Sequence, residues 1–439
     1  MRSLRRSPPN GYGSDMTVEV SELPGGLRVV TDSMPGIASA SVGVWVDAGS
    51  RHEDPVENGT AHFLEHMAFK GTENRSTRQI MEEIEMVGGS LNAFTAREQT
   101  TYHAQVLEAD LGLAVDLLSD IVMNPVFAPE EMERERQVIL QEIGMVQDTP
   151  DDLVFDHLQA VAYPDQAIGR SILGTDRGIA ALPLDVLRGF RDRHYDAGRM
   201  IVAAAGAVDH DRFRDLVGER FALAGGGNGG ARPGAYEAAS YRGGDLRDAR
   251  SLDQVHLSFA FPGLCFDDPD YYALQVYATL LGGGSSSRLM QEVREERGLA
   301  YSIFAQPVAY ADGGLLTLYA GTSDDLAIEL LDVLGEQVRD SVENVTDPEI
   351  QRARAQLKAG LLMSLESSNA RMEIAARHLY LFGRPLTVQE LSASIDAVDR
   401  ESVIRAARRV FGGGPLSFAA VGPVDGLPDR AAIQERFAL

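Results

Sequence analysis

The alternation of apolar and polar positions predicts strands in the first part of the chain. Thr17 to Leu23, Leu27 to Met34 and Ala38 to Asp47 are rich in β-branched residues and are separated by Gly-Gly and Pro-Gly pairs. Such pairs favour turns between strands. Ser90 to Thr95 and Thr100 to Leu107 show the same alternation. The first 107 residues therefore predict five strands.

Helical periodicity fills the intervals between and after these strands. Apolar residues recur there at spacings of three and four, which is typical of helices with one buried face. Thr77 precedes one such run and is predicted as its N-cap, and Pro129 with two following glutamates opens another. The predicted helices cover about 60–69, 77–86, 110–123, 129–147 and 185–194, and an apolar strand is predicted at 200–208.

The succession of predicted strands and helices stops at about residue 223 and starts again beyond residue 250. Residues 223–250 contain four glycine-rich clusters and almost no apolar periodicity, which predicts a linker. The segment MIVAAAGAVD at 200–209 is echoed by LSFAAVGPVD at 416–425, 216 positions later. The helix openings at Asp110-Leu111 and Asp325-Leu326 lie 215 positions apart. We interpret the chain as an internal duplication.

These elements predict an α+β fold made of two homologous repeats. Each repeat is expected to be an α/β sandwich, with an antiparallel-rich mixed sheet and helices on one face. We predict an N-terminal domain at 17–222, a Gly-rich linker at 223–250 and a homologous C-terminal domain at 251–439. Residues 1–16 are expected to be a disordered tail, because Pro8 and Pro9 interrupt any targeting helix.

Composition narrows the classes of function. The net charge of −25 argues against a nucleic-acid binder, which needs clustered Lys and Arg. We expect no transmembrane segment, because no apolar run approaches the roughly 18 residues of a membrane span. The single cysteine, Cys265, excludes an internal disulfide and a thiolate metal cluster, so any metal ligands must be His or carboxylate. A cytoplasmic location is expected, with an organelle matrix as the alternative.

The segment His62-Phe63-Leu64-Glu65-His66 carries the candidate chemistry. In a helix its two imidazoles lie one turn apart on one face, and Glu65 flanks them. This order is typical of an inverted zincin, in which a carboxylate beside the metal takes a proton from bound water. Nine histidines would produce such a cluster by chance in roughly one per cent of such sequences, so the motif needs its context.

A later helix supplies two carboxylates that fit this motif. Glu135 and Glu142 are seven residues apart and therefore share one helix face. A solvated helix face stays open as the alternative for Glu135. The matching helix of the second repeat, at 270–281, has no His and no acid on its inner stripe. One metal site per chain, in the first repeat, is expected.

Over about residues 16–425 the sequence resembles the pitrilysin-like inverzincin metallopeptidases. It is most similar to half-length bacterial relatives of the mitochondrial processing peptidase β-subunit. The segment at 59–67, GTAHFLEHM, carries this resemblance together with the glutamate pair. The resemblance implies one Zn²⁺ held by His62, His66 and Glu142. It also implies that Glu65 is the general base on zinc-bound water and that Glu135 is an auxiliary acid.

Further motifs imply how substrate binds. The resemblance makes the segment LNAFT at 91–95 an edge strand to which the peptide adds, with contacts from Asn92, Ala93 and Phe94. Arg294 and Tyr301 resemble the family's Arg/Tyr pair, which reaches substrate from the C-terminal half. The resemblance implies a catalytic role for both, with Tyr301 helping to stabilise the oxyanion. An ordinary charged helix that ends in a core aromatic stays open as the alternative for this pair. The segment GRSILG at 169–174 also resembles a processing-peptidase loop, and relatives often have His at the position of Gln99.

Two functions from different classes remain. The first is a zinc endopeptidase that cuts extended or unfolded peptides in a chamber, built by a homodimer or by a heterodimer with a related chain. Basic peptides are the expected preference, because of the negative charge. The second is a non-catalytic partner or scaffold subunit of a processing-peptidase-like complex. The intact set of His62, Glu65, His66 and Glu142 favours the enzyme.

Overall fold

The computed structural model describes residues 17–221 and 236–439. The predicted tail at 1–16 and the part of the predicted linker at 223–235 lie outside these residues. The described residues form two sheets, one from each half of the chain. No helix among them is long and apolar enough to span a membrane.

The first sheet has six strands and is mixed. Its strands are β1 (Thr17–Glu22), β2 (Arg28–Ser33), β3 (Ser39–Val46), β4 (Ser90–Thr95), β5 (Thr100–Leu107) and β6 (Met200–Gly206). They lie in the order β1-β2-β6-β3-β5-β4, and only β2 and β6 pair in parallel. Strand β4 is thus an edge strand, as predicted.

The second sheet has five strands. They are β7 (Gly244–Ala249), β8 (Val255–Pro262), β9 (Ser302–Ala309), β10 (Gly314–Thr322) and β11 (Ser417–Gly422). Their order is β7-β11-β8-β10-β9, and only β7 and β11 pair in parallel. The central strands β3, β6, β8, β10 and β11 are almost wholly buried and correspondingly apolar.

Each half of the chain also contributes a set of helices. In the first half they are α1 (Thr60–Ala68), α2 (Thr77–Met86), α3 (Leu111–Met123), α4 (Pro129–Gln147), α5 (Pro150–Ala162), α6 (Asp176–Ala181), α7 (Leu184–His194) and α8 (His210–Phe221). In the second half they are α9 (Tyr271–Gly282), α10 (Ala327–Glu343), α11 (Asp347–Ser364), α12 (Ser368–Phe382), α13 (Val388–Asp396), α14 (Arg400–Gly412) and α15 (Arg430–Arg436). The predicted duplication and fold class are confirmed.

One helix from each half covers the outer face of the other half's sheet. Met372, Ala375 and Leu379 of α12 form a buried cluster with Trp45 and Ile201 of the first sheet. In return, α5 packs on the second sheet through a cluster that includes Val154, Leu158, Ala260, Ala419 and Val421. Both faces of each sheet are therefore covered, although the helices of each half were predicted on one face only.

Two local predictions are wrong. Residues 244–249 of the predicted linker form strand β7. This strand lies at a sheet edge with a polar, half-exposed sequence, so it lacks the apolar periodicity that identifies a buried strand. The N-cap of α2 is Ser76 and not Thr77, because Ser76 accepts from the backbone N–H of Gln79 in a capping box.

Candidate metal centre

Helix α1, which carries the histidine motif, begins at a glycine with a positive φ. Gly59 adopts φ 93°, and a Cβ there would lie 2.6 Å from Cδ1 of Ile179. The carboxylate of Glu53 accepts from the backbone N–H groups of Gly59 at 2.9 Å and Ala61 at 2.7 Å. Helix N-termini leave such groups without partners, so Glu53 fixes the start of the helix. Burial raises the pKa of Glu53 to about 7.

The two histidines lie on one face of α1. Phe63, Leu64 and Met67 are buried in the first-half core, which fixes the rotation of the helix about its axis. The His62 and His66 rings are therefore held together, with their centroids 4.7 Å apart. Burial, reinforced by the charge of His66, lowers the pKa of His62 to about 3. His62 is neutral at physiological pH, which is the form of imidazole that binds metals.

Helix α4 brings a carboxylate to both rings. Oε2 of Glu142 lies 3.7 Å from Nε2 of His62 and 3.5 Å from Nε2 of His66. One donor atom from each of the three residues lies within 4.8 Å of the other two. Two imidazoles and a carboxylate form a typical donor set for Zn²⁺ that leaves one position open. No second group of three such residues is found in 17–221 or 236–439.

Glu135 contacts His66 at Nδ1, the ring nitrogen that does not face Glu142. Its Oε2 accepts from Nδ1–H of His66 at 3.1 Å, and its Oε1 lies 2.7 Å from Nζ of Lys70. Glu135 is only 5% exposed, so the alternative of a solvated helix face is wrong. A proton held on Nδ1 leaves the Nε2 lone pair of His66 for a metal. Sequence reasoning missed Lys70, which lies just beyond the end of α1, four residues after His66.

Glu65 is held by the edge strand. Its Oε2 accepts from Oγ1 of Thr95 at 2.6 Å. Burial raises the pKa of Glu65, and the negative charge of Glu142 adds to that rise. Thr95 is the last residue of β4, so the strand and the candidate base are joined by one hydrogen bond. The sequence indicated Thr95 only as part of the LNAFT segment.

The outer edge of β4 carries a main-chain donor that does not pair with β5. The backbone N–H of Ala93 donates to the side-chain Oδ1 of Asn92 at 2.8 Å. Phe94 is 43% exposed and lies 6.3 Å from the ring of His103, measured between centroids. Asn92, Ala93 and Phe94, which were predicted to bind substrate, therefore lie on an accessible strand edge.

A cleft of about 410 Å³ joins the edge strand to the motif. Asp152 and Asp156 of α5 line its other side, and Oδ2 of Asp156 accepts from Oγ of Ser171 at 2.8 Å. Sequence reasoning did not select these two aspartates. The full lining is His62, Glu65, Ala93, Phe94, Thr95, Val146, Asp152, Asp156, Ser171, Ile172 and Leu173.

The side chains of Arg294 and Tyr301 contact each other. The Arg294 guanidinium lies 4.7 Å from the centroid of the Tyr301 ring, a cation–π contact. Arg294 lies in a π-helical segment, Met290–Glu296, and also approaches Glu295 at 3.8 Å. Tyr301 is 78% exposed, so the alternative of a core aromatic is wrong. Neither residue is among those that line the cleft.

Comparisons with known proteins identify the family of this chain. Residues 28–176 match the family model described as insulinase (peptidase family M16), and residues 181–357 match the model of the peptidase M16 inactive domain. An uncharacterized zinc protease of Streptomyces coelicolor is 39% identical over 418 residues, which cover 93% of this chain and 90% of that protein. The chain belongs to peptidase family M16.

Other M16 relatives extend the comparison. A probable mitochondrial-processing peptidase subunit β of Arabidopsis thaliana is 40% identical over 428 residues, covering 95% of this chain and 80% of that protein. An uncharacterized zinc protease of Bacillus subtilis is 35% identical over 396 residues, covering 88% of this chain and 94% of that protein. The predicted resemblance is confirmed.

Solved structures support the M16 fold. A protease from Helicobacter pylori superposes with a TM-score of 0.83 at 22% identity, covering 93% of this chain and 100% of that one. A structure from Pseudomonas fluorescens, titled as a peptidase M16 inactive domain, gives 0.84 at 20% identity, covering 93% and 98%. At these identities the likeness supports the fold alone.

Proposed function

We propose that this chain is a zinc-dependent endopeptidase that hydrolyses extended or unfolded peptides. The observation that carries the proposal is the placement of Glu65 between a His62/His66/Glu142 donor set and an unpaired strand edge. The three residues would hold one Zn²⁺ per chain. When bound there, zinc supplies a Lewis acid that polarises the substrate carbonyl and lowers the pKa of water.

Glu65 acts as the general base in this proposal. Its hydrogen bond from Thr95 orients one carboxylate oxygen and leaves the other able to accept a proton from water. The burial that raises its pKa makes proton transfer to Glu65 more favourable than transfer to an exposed carboxylate. Glu65 then returns the proton to the leaving amine. Glu135 acts as an auxiliary acid that keeps His66 in its ligating tautomer.

The peptide binds as an added strand beside β4. The N–H of Ala93 donates to the peptide main chain once the Asn92 side chain turns away, and Phe94 contacts its side chains. Main-chain pairing depends little on the side chains of the substrate and requires an extended, unfolded segment. Asp152 and Asp156 lie across the cleft, and their charges favour a basic side chain in the substrate.

Assembly completes the proposal. The stacked and exposed Arg294–Tyr301 pair is available to a bound peptide or to a second chain. We propose a two-fold homodimer, or a heterodimer with a related chain, whose halves enclose a chamber that excludes folded proteins. We place it in the cytoplasm of a bacterial cell. A non-catalytic partner subunit is the less favoured function, because such a subunit would not need the complete donor set and base.

Mass-spectrometric mapping of cleavage sites in a mixed peptide library tests the proposal. We expect internal cuts that disappear with a chelator and return with Zn²⁺, and that are absent with His66→Ala. Light scattering on the same sample reports the assembly. A library left intact by the zinc-loaded protein, or one still cut by His66→Ala, would contradict the endopeptidase.

A further inference from the structure

A buried arginine joins the two halves of the molecule beside the substrate strand. Arg51 is 2% exposed, and its guanidinium lies 4.0 Å from the centroid of the Tyr236 ring. Its Nη1 donates to Oε1 of Glu98 at 2.7 Å, and its Nη2 donates to Oδ2 of Asp312 at 2.5 Å. Nη2 also donates to the backbone carbonyl of Glu237 at 3.0 Å. One planar group thus binds three separate segments.

The first of these segments is the turn that joins β4 to β5. The backbone of this turn is hydrogen-bonded to the loop that contains Arg51. The N–H of Ser50 donates to the carbonyl of Ala96 at 3.2 Å, and the N–H of Arg51 donates to the carbonyl of Arg97 at 2.7 Å. The two backbones approach so closely at Gly49 that a Cβ there would lie 2.2 Å from the Ala96 oxygen. This turn directly follows Thr95, the residue that binds Glu65.

The second segment is the β9–β10 hairpin of the other half. The backbone N–H of Ala311 donates to both carboxylate oxygens of Glu98 at 3.2 Å. Asp312 also accepts from the backbone N–H of Ala239 at 2.9 Å. The hairpin is thus bound both to Arg51 and directly to the turn. A displacement of this hairpin would therefore be transmitted to the end of β4.

We propose that Arg51 is a positioning residue that sets the substrate strand through Glu98 and ties its position to Asp312 of the C-terminal half. The inference rests on the proposed function for its effect on peptides. Its physical basis is that a buried guanidinium fixes the direction of each charged partner, and that loss of the Asp312 charge leaves one Nη2 N–H of the buried Arg51 without its charged acceptor. The Ala93 donor and Thr95 would then shift together.

Asp312→Asn tests this, since Arg51→Ala risks general misfolding. We expect the KM for a peptide to rise roughly two- to thirtyfold, the range for residues that modulate coupling between sites. Zinc content should not change, because the proposed ligands lie on α1 and α4. Glu98→Gln should reproduce the effect from the other end of the contact.

Asp340→Asn is the matched control. Asp340 also pairs with a largely buried arginine, Arg288, which likewise keeps a second acid, Glu349. Within residues 17–221 and 236–439, this cluster makes no hydrogen bond or ion pair with β4 or its turn. A KM in Asp312→Asn equal to that of Asp340→Asn would overturn the proposal.

Hydrogen exchange gives a readout that needs no peptidase activity. The backbone N–H of Ala96 donates to the Gln99 carbonyl at 2.7 Å across the turn. In Asp312→Asn this amide should exchange faster than in wild type, whereas in Asp340→Asn it should not. Unchanged exchange would contradict the coupling. An inactive wild-type protein would instead contradict the proposed function. The exchange result alone would then test whether Arg51 couples the hairpin to the turn.

Discussion

His66 is oriented from both sides of its ring. Its Nδ1 side contacts Glu135 and its Nε2 faces Glu142. Lys70 adds a positive charge next to Glu135, with its Nζ 2.7 Å from Oε1 of that carboxylate. The ligand geometry therefore depends on residues that would not touch the metal.

Glu135→Gln should lower zinc affinity about 10–100-fold, the usual cost of losing a partner of a metal ligand. The amide cannot carry the charge that polarises His66 and pairs with Lys70. Competition with a chromophoric chelator measures the affinity. Glu130→Gln, at an exposed site on the same helix, is the control. Equal affinities in the two variants would contradict this role for Glu135.

Asp47 should make the stability of the fold depend on pH. It is 6% exposed, accepts from Oη of Tyr380 at 2.9 Å, and burial raises its pKa to about 6. The folded state therefore holds this proton more tightly than the unfolded chain. The contribution of Asp47 to the free energy of unfolding is fully present below about pH 4 and is lost as the pH rises through about 6.

Asp47→Asn removes the titration and keeps an acceptor for Tyr380. Between about pH 4 and pH 7 its free energy of unfolding should gain up to about 3 kcal/mol relative to wild type. Urea unfolding across this pH range measures the difference. Two pH profiles that stay parallel would show that Asp47 does not titrate in this way.

At the level of residues, spacing along the chain predicted the two candidate histidine ligands, the resemblance added Glu142, and neither predicted much of their surroundings. His62, Glu65 and His66 share one helix, and Glu135 and Glu142 share another, so their relative positions follow from helix geometry. Thr95, Lys70 and Glu53 have ordinary side chains whose roles depend on partners brought close by folding. Asp152 and Asp156 were not selected because nothing in their local sequence indicates that they line the cleft.

Among the elements, strongly periodic segments were predicted best. The bounds of β4, β5 and α4 are as expected, because turn residues or Pro129 mark their ends. Strand β7 was missed because an edge strand with two half-exposed faces has no alternation. The proposed addition of a peptide to β4 also requires that this strand lie at a sheet edge. The resemblance implied that edge position, and the strand order confirms it.

Ala93→Pro tests strand addition at this edge. Proline removes the outward N–H and is tolerated on an edge strand, so the fold and zinc content should persist. The KM for an extended peptide should rise roughly two- to tenfold, the value of one hydrogen bond. Steady-state kinetics measure this, and a thermal melt checks the fold. An unchanged KM would show that the peptide does not pair with Ala93.

In the whole molecule, the exchange of helices makes each half depend on the other. Helix α12 covers the first sheet and α5 covers the second, so each buried outer face is built from both halves. Sequence reasoning could not predict this exchange, because an apolar helix face packs equally well on either sheet. The cleft depends on it, since α5 also carries Asp152 and Asp156.

Met372→Ala should destabilise the molecule by about 2–5 kcal/mol, because it leaves a cavity between α12 and the first sheet. Met372 is fully buried, whereas Met363 on α11 is 64% exposed. Met363→Ala is the matched control and should stay within about 0.5 kcal/mol of wild type. Denaturant unfolding compares them. Equal losses in both variants would contradict the packing of α12 between the halves.

We propose above all that Glu65 is the general base of a zinc endopeptidase whose metal is held by His62, His66 and Glu142. The most direct test is the rate of peptide hydrolysis by Glu65→Gln at a zinc content matched to wild type. We predict one zinc per chain, a retained fold and a rate at least about a hundredfold lower, the usual effect of losing a general base. A zinc-loaded Glu65→Gln protein with near wild-type turnover would contradict the account.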